Sequence, residues 1–309
     1  MKRLFTILFI TAFSLCLNAQ TYKWEWQNPK PQGNDFNDIV LLGANNVLAV
    51  GNAGVLQMST DGGSKWTISY IDSAKRDLQS IYFIDNSKGI IAGKGGLLLK
   101  TTDAGKTWKS LNSGTVEDLN DVEFVNADTG YAVGSKGTIL KTKDGGNTWV
   151  YSTFGTSSIY KVNIASASAV YLGTGNSAGR IAKSVDYGAT WKSVTPTAIT
   201  SSIYALYFLN DSTGFAGTSD DNVFKTTDGG TTWTKKTNFS SNTIYDVKFI
   251  SPTEGYAVDS KGNVIKSTDA GETWTAQRIP LQKFNAFAGN STAIYAVGVA
   301  GAVYKSEDK

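Results

Sequence analysis

The chain reads as short apolar or alternating runs, each broken within a few residues by glycine, Asn or Asp. One stretch shows the pattern. Leu119-Asn-Asp-Val-Glu-Phe-Val125 alternates like a half-buried strand, Asn126-Ala-Asp-Thr-Gly130 turns, and Tyr131-Ala-Val-Gly134 is a second apolar run. Ser135-Lys-Gly137 turns back into Thr138-Ile-Leu-Lys141, and a polar loop then leads through Trp149 into a fourth run. β-branched and aromatic segments joined by hairpin-length loops predict antiparallel strands, and no window sustains a helical period.

The polar loop recurs. Ser59-Thr-Asp-Gly-Gly-Ser-Lys-Trp66, Thr101-Thr-Asp-Ala-Gly-Lys-Thr-Trp108, Thr142-Lys-Asp-Gly-Gly-Asn-Thr-Trp149, Ser184-Val-Asp-Tyr-Gly-Ala-Thr-Trp191, Thr226-Thr-Asp-Gly-Gly-Thr-Thr-Trp233 and Ser267-Thr-Asp-Ala-Gly-Glu-Thr-Trp274 are copies of one eight-residue box. Their tryptophans lie 42, 41, 42, 42 and 41 residues apart, the signature of a repeated structural unit. Four antiparallel strands in that length make one blade of a β-propeller. A seventh box begins at Ser306-Glu-Asp308 and stops before its fourth strand, while Tyr22-Lys-Trp-Glu-Trp-Gln27 supplies a spare strand at the other end, with Trp24 or Trp26 in place of the absent box tryptophan. The expected fold is therefore all-β: a single seven-bladed propeller over residues 20–309, closed by the N-terminal strand joining the last blade.

These boxes resemble the Asp-box, or BNR, repeat of sialidase-like propellers, Ser/Thr-x-Asp-x-Gly-x-Thr-Trp. The longer repeat, with Gly-Tyr-Ala-Val-Gly134 followed by Gly-Thr-Ile-Leu-Lys-Thr142 and Asp144-Gly-Gly, is most similar to the photosystem II assembly and stability factor propellers. That resemblance implies the propeller fold and a scaffold that holds a client during assembly of a membrane complex. It also implies an arginine-rich patch, which this chain does not reproduce.

Residues 1–19 have the charged start (Lys2, Arg3), apolar run and small-residue exit of a secretory signal peptide, which points to an exported protein, periplasmic, cell-surface or secreted, with no transmembrane segment in the mature chain. The only cysteine, Cys16, lies inside that segment, and Leu15 before it does not suit lipoprotein processing. Removing Lys2 and Arg3 leaves 27 basic against 26 acidic side chains, a balance that gives no reason to expect nucleic acid as a partner.

The box carboxylates Asp61, Asp103, Asp144, Asp186, Asp228 and Asp269 are read as turn-forming acceptors. Six equivalent sites round a ring cannot converge on one substrate, and one carboxylate per loop is too few for calcium, so neither a metal nor a cofactor is expected. Trp66, Trp108, Trp149, Trp191, Trp233 and Trp274 are read as packing between blades, the first box being the weakest because Ser64-Lys65 replaces x-Thr.

Strand order puts the boxes and the first-to-second-strand turns on one face, the box face. The second-to-third-strand loops and blade connections share the other, the loop face, and there the copies diverge, as a grafted site would. Lys94, Lys136 and Lys261 form a mild basic arc on it. The second position of each inner strand is Asn37, Gln79, Asn120, Tyr160, Tyr204, Tyr245 and Asn285, so one side of the rim is aromatic and the other amide-rich. Such a rim suits a peptide or a sugar.

An enzyme has little to work with. The sequence holds no histidine, which excludes a histidine triad, a zinc–histidine site and imidazole acid–base chemistry. Only Arg76, Arg180 and Arg278 follow the leader, too scattered for the arginine cluster of a sialidase. Xyloglucanase-like relatives work in a cleft between two propellers, and this chain has one. The favoured reading is a non-catalytic, exported interaction module for a protein client, with no catalytic residue. The alternative is a carbohydrate-binding protein or glycoside hydrolase pairing Asp220 or Asp221 with Asp259. Lysine reversal at Lys94, Lys136 and Lys261 is expected to release a protein client, and alanine at the three tyrosines to release a glycan. Trp149→Ala should cost about 3–5 kcal/mol of stability in chemical denaturation while leaving ligand binding in place.

Overall fold

The computed structural model describes residues 23–27, 33–175, 181–194, 198–220, 222–237, 242–279 and 283–307. Within them, 28 strands form seven four-stranded antiparallel sheets, arranged as the blades of one propeller. The inner strands are Phe36–Leu42, Leu78–Phe83, Leu119–Phe124, Ile159–Ile164, Ile203–Phe208, Ile244–Phe249 and Phe284–Gly289, numbered here as blades one to seven. Among the described residues no helix is long and apolar enough to cross a membrane. The expected leader, residues 1–19, and Asp221 lie outside the described residues.

The last blade is completed from the other end of the chain. Glu25–Trp26 pairs antiparallel with Val303–Ser306, Glu25 opposite Lys305 and Trp26 opposite Tyr304. Trp24 stands immediately before this strand, the place a box tryptophan takes in the other blades, and packs against the apolar cluster between blades six and seven. Trp26 lies edge-on to Tyr304 at 5.0 Å.

The core is not one volume but seven, each between a blade and its neighbour. Between blades five and six, for example, Phe215 and Val223 of one sheet meet Ile244, Val247 and Ile265 of the next. The second strands, such as Gly130–Gly134, are buried throughout because both faces carry a neighbour, whereas fourth strands such as Val150–Thr153 are exposed. The box tryptophans sit over these seams. Trp274 meets Phe249 of its own blade at 5.9 Å and Phe215 of the preceding blade at 6.1 Å, both edge-to-face.

Each box is closed by its own side chains. In the third, Asp144 Oδ1 accepts the Thr142 hydroxyl at 2.8 Å and the Thr148 N–H at 2.9 Å, while Oδ2 accepts the Thr148 hydroxyl at 2.6 Å. The Thr142 hydroxyl oxygen in turn accepts the Gly146 N–H, and Trp149 Nε1 donates to the Gly146 carbonyl. The threonine hydroxyl four residues on, followed by its N–H, holds Asp103, Asp144, Asp186, Asp228 and Asp269 at about 2. Asp61 lacks that hydroxyl and is lowered chiefly by the Lys65 N–H; Trp66 Nε1, like Trp191 Nε1 of the fourth box, is buried with no hydrogen-bond partner.

Two outcomes are expected. Deleting residues 20–27 removes the strand that covers Val303–Ser306, so calorimetry should show the single cooperative transition broken into a broad, earlier one. The box carboxylates ionise more readily folded than unfolded, so their contribution is complete above the ordinary Asp value of about 3.9 and is lost as pH falls through about 2. Carbon NMR of a Thr148→Val variant should show Asp144 titrating closer to the ordinary value, and an unchanged curve would count against hydroxyl control.

Candidate functional site

Every inner strand carries a bulge at its second residue. The register slips between Phe36 and Asp38, Leu78 and Ser80, Leu119 and Asp121, Ile159 and Lys161, Ile203 and Ala205, Ile244 and Asp246, and Phe284 and Ala286. A bulge re-aims the extra side chain, and here it is the amide or tyrosine of the loop-face rim. The two chemistries then do different work. Asn37 Nδ2 donates to the Leu78 carbonyl at 2.8 Å, Asn120 Nδ2 to that of Ile159 at 2.8 Å and Asn285 Nδ2 to that of Phe36 at 2.7 Å, each stitching its blade to the next. The tyrosines instead touch one another. Tyr160 and Tyr204 stack at 4.5 Å, Tyr204 and Tyr245 meet at 5.8 Å, and the Lys283 ammonium lies 4.3 Å from the Tyr245 ring. Burial, then the hydrogen bond with Tyr160, pushes the Tyr204 hydroxyl up to about 12.

The ring thus contains two kinds of blade. In blades one, two, three and seven the second strand ends in Gly51, Gly93, Gly134 or Gly298, followed by the 3-10 turns Asn52–Gly54, Lys94–Gly96, Ser135–Gly137 and Val299–Gly301. A Cβ at Gly134 would stand 1.8 Å from the Asp118 carbonyl oxygen, so no other residue fits. Carboxylates from the neighbouring blade tie three of these turns down: Asp77 accepts the Ala53 N–H, Asp118 that of Gly95 and Asp35 that of Ala300. In blades four, five and six the glycine gives way to Thr174, Thr218 and Asp259, and these are the tyrosine blades. The exchange of glycine for Thr or Asp together with amide for tyrosine is visible in the sequence once the blades are aligned.

The lysine arc is divided. Lys94 Nζ is 2.7 Å from Asp77 and Lys136 Nζ 2.9 Å from Glu117, so two of its charges are met by carboxylates in the blade connections. Lys261 is exposed, and its backbone N–H donates to Asp259. Asp220 accepts the Ser201 and Thr218 hydroxyls at 2.5 and 2.6 Å; burial opposes its charge, but these bonds outweigh it and lower its pKa. Asp259 is fully buried, one oxygen accepting the Lys261 and Asn263 N–H groups and the other the Asn242 and Asn263 amides. Both its oxygens are engaged within its own loop and blade. Among the described residues no group of three or more carboxylate, thiol or imidazole side chains is placed to hold a metal.

A second set of residues, not singled out from the sequence, lines the central channel. Asp38, Asp121 and Asp246 are buried at the third position of their strands, and each accepts a backbone N–H from the following blade: Ile81 at 2.9 Å, Val162 at 3.0 Å and Phe287 at 3.2 Å. Ser80 bridges Asp38 and Asp121 at 3.1 and 3.0 Å. Lys161 reaches Asp121 at 3.4 Å and Lys248 reaches Asp246 at 2.8 Å. The only sequence signal for them is a charge inside an inner strand that otherwise alternates, next to the bulge.

The sequence matches the family of the photosynthesis system II assembly factor YCF48 over residues 17–116 and 111–171. No curated protein matches it. Among solved structures, YCF48 bound to D1 peptide is similar over 92% of this chain and 96% of its own, with a TM-score of 0.74 and 19% identity. YCF48 from Cyanidioschyzon merolae gives a TM-score of 0.75 at 18% identity, covering 92% of this chain and 98% of its own. A virginiamycin B lyase from Staphylococcus aureus, solved with quinupristin, gives 0.81 at only 10% identity, covering 93% and 99%. At such identities the likeness establishes the fold, and the fold hosts both binding proteins and a lyase.

Proposed function

Since the chain belongs to the family of the photosynthesis system II assembly factor YCF48, we propose that it is a non-catalytic, exported propeller that holds a segment of a client protein against the tyrosine rim of blades four to six. The observation that carries this reading is the contact strip Tyr160–Tyr204–Tyr245, which coincides with the three blades where the laced glycine turns are absent. Tyrosines offer apolar area with a polar tip at little cost in side-chain entropy, which suits an extended peptide. A family member solved with a peptide of D1 supports protein binding as the mode. The D1 peptide is not carried over as the client of this chain.

Export rests on Lys2, Arg3 and the apolar run that follows them. The non-catalytic reading rests on the missing imidazole and on the closed hydrogen bonding of Asp259. The lysines contribute less than their sequence suggests, because Asp77 and Glu117 already neutralise Lys94 and Lys136.

Affinity capture from an envelope extract with purified residues 20–309 tests this, beside the triple variant Tyr160→Ala, Tyr204→Ala, Tyr245→Ala and the reversal of Lys94, Lys136 and Lys261 to Glu. One specific protein should be retained by the parent and by the lysine variant. The tyrosine variant should bind it on the order of 30- to 1,000-fold more weakly, the loss of about 2–4 kcal/mol of aromatic anchoring. Retention of glycan and no protein would overturn the reading in favour of a carbohydrate-binding propeller.

A further inference from the structure

The central channel widens on the box face, across the ring from the tyrosine rim, into a cavity of about 360 Å³. Its walls are apolar and aromatic, including Val40, Phe83, Tyr207 and Phe249, and its floor is ionic. Four carboxylates line it, Asp38, Asp121, Glu123 and Asp246, against two ammonium groups, Lys161 and Lys248. The charges therefore do not balance.

Three of the four carboxylates are accounted for. Asp121 and Asp246 have Lys161 and Lys248, and Asp38 accepts the Ile39 and Ile81 N–H groups and the Ser80 hydroxyl. Glu123 has the Ile164 N–H, a single 3.4 Å contact from the Asn163 amide and the more distant attraction of Lys161, but no ion pair within 4 Å among the described residues. Tyr82 and Tyr207 stand close enough for the charge of Glu123 to act on both phenols, from blades two and five. Their hydroxyls are spent on the Phe124 and Phe249 carbonyls, so both line the cavity with Glu123 without donating to it. The surroundings favour positive charge: burial disfavours the Lys161 ammonium, yet the attraction of Asp121, Asp246 and Asp38 outweighs it, and Lys248 is raised in the same way.

We propose that this cavity is a binding site for a small organic cation, an alkylammonium group that docks on the Glu123 carboxylate in the space that Tyr82 and Tyr207 also line. A half-buried carboxylate that has no ion pair of its own among the described residues gains from a cation that brings hydrogen-bond donors, and the aromatic walls suit the alkyl chain behind it. The volume admits one such group and excludes a folded partner. Burial, then Asp121, pushes Glu123 up to about 8, so at neutral pH the ligand must displace a proton from it. Beyond burial, Asp121 raises this value while the Ile164 N–H, Lys161 and the Asn163 amide lower it, and Glu123 in turn raises the phenols of Tyr82 and Tyr207.

Calorimetric titration of residues 20–309 with n-butylammonium, and separately with Nα-acetyl-lysine methylamide, tests the site. Saturable binding should be about twentyfold tighter at pH 8.5 than at pH 6.5, because alkylammonium stays charged over that range while Glu123 ionises near 8. Heats in two buffers of different ionisation enthalpy should show proton release at the lower pH. Glu123→Gln keeps the shape and the amide contact, and should weaken binding at least about tenfold at pH 8.5 with an unchanged circular dichroism spectrum. Butylammonium alone binding would make the ligand a free amine; both probes binding would admit a lysine side chain of a partner. Absence of saturable binding by either probe, affinity independent of pH, or equal affinity in folded Glu123→Gln would overturn the proposal.

Discussion

No blade of this protein can bury both faces of its own sheet. Each buries them only against its two neighbours, through the seven apolar seams, and the rest of the structure depends on that. A linear stack would leave two open faces, so the ring must close, and it closes by hydrogen bonds between Glu25–Trp26 and Val303–Ser306, with no disulfide to assist. The boxes serve the same end from outside. Their carboxylates spend their acceptor capacity inside an eight-residue loop, which leaves the tryptophan free to lie over the seam between blades.

Near the axis the same constraint takes a polar form. Inner strands crowd together where apolar side chains have least room, and the carboxylates of Asp38, Asp121 and Asp246 fill the gap by capping a backbone N–H of the next blade. This is a blade-to-blade clasp of the kind the rim amides make one residue earlier. It also concentrates charge in the channel, where Glu123, which has no ion pair among the described residues, is costly to keep ionised. A scaffold built by repetition thereby presents different side chains at the two ends of one channel, aromatic above and ionic below.

How much of this was legible depends on the distance over which each feature acts. The box hydrogen bonds join residues two to four apart, so a local motif contains the whole device, including the missing hydroxyl of the first box, where Lys65 takes the place of a threonine. The strand order and the closing strand follow from counting a period of 41 to 42 residues and finding one unit short at one end and over-long at the other. The lysine arc was legible only in part. Lys94 and Lys136 could be placed on the loop face, but Asp77 and Glu117 belong to the blade connections, 17 and 19 residues away, and only folded geometry brings them within 2.7 and 2.9 Å. The pairing of Asp220 or Asp221 with Asp259 rests on loop position alone. The structure closes Asp259 into its own turn, and Asp221 lies outside the described residues.

The sequence by itself determined the number of blades, their strand order, the box turns and which inner-strand positions vary, because a repeat converts each of these into a short-range pattern read many times over. Tertiary structure decided which variable residues meet. Whether three tyrosines form a strip or fill three separate gaps, whether a lysine is open or paired, and whether four carboxylates and two ammonium groups share one cavity all depend on approach between blades about 40 residues apart in the chain. Those encounters are set by the curvature of the ring and by the bulge that turns the second residue of each inner strand, and neither is written in the residues that meet.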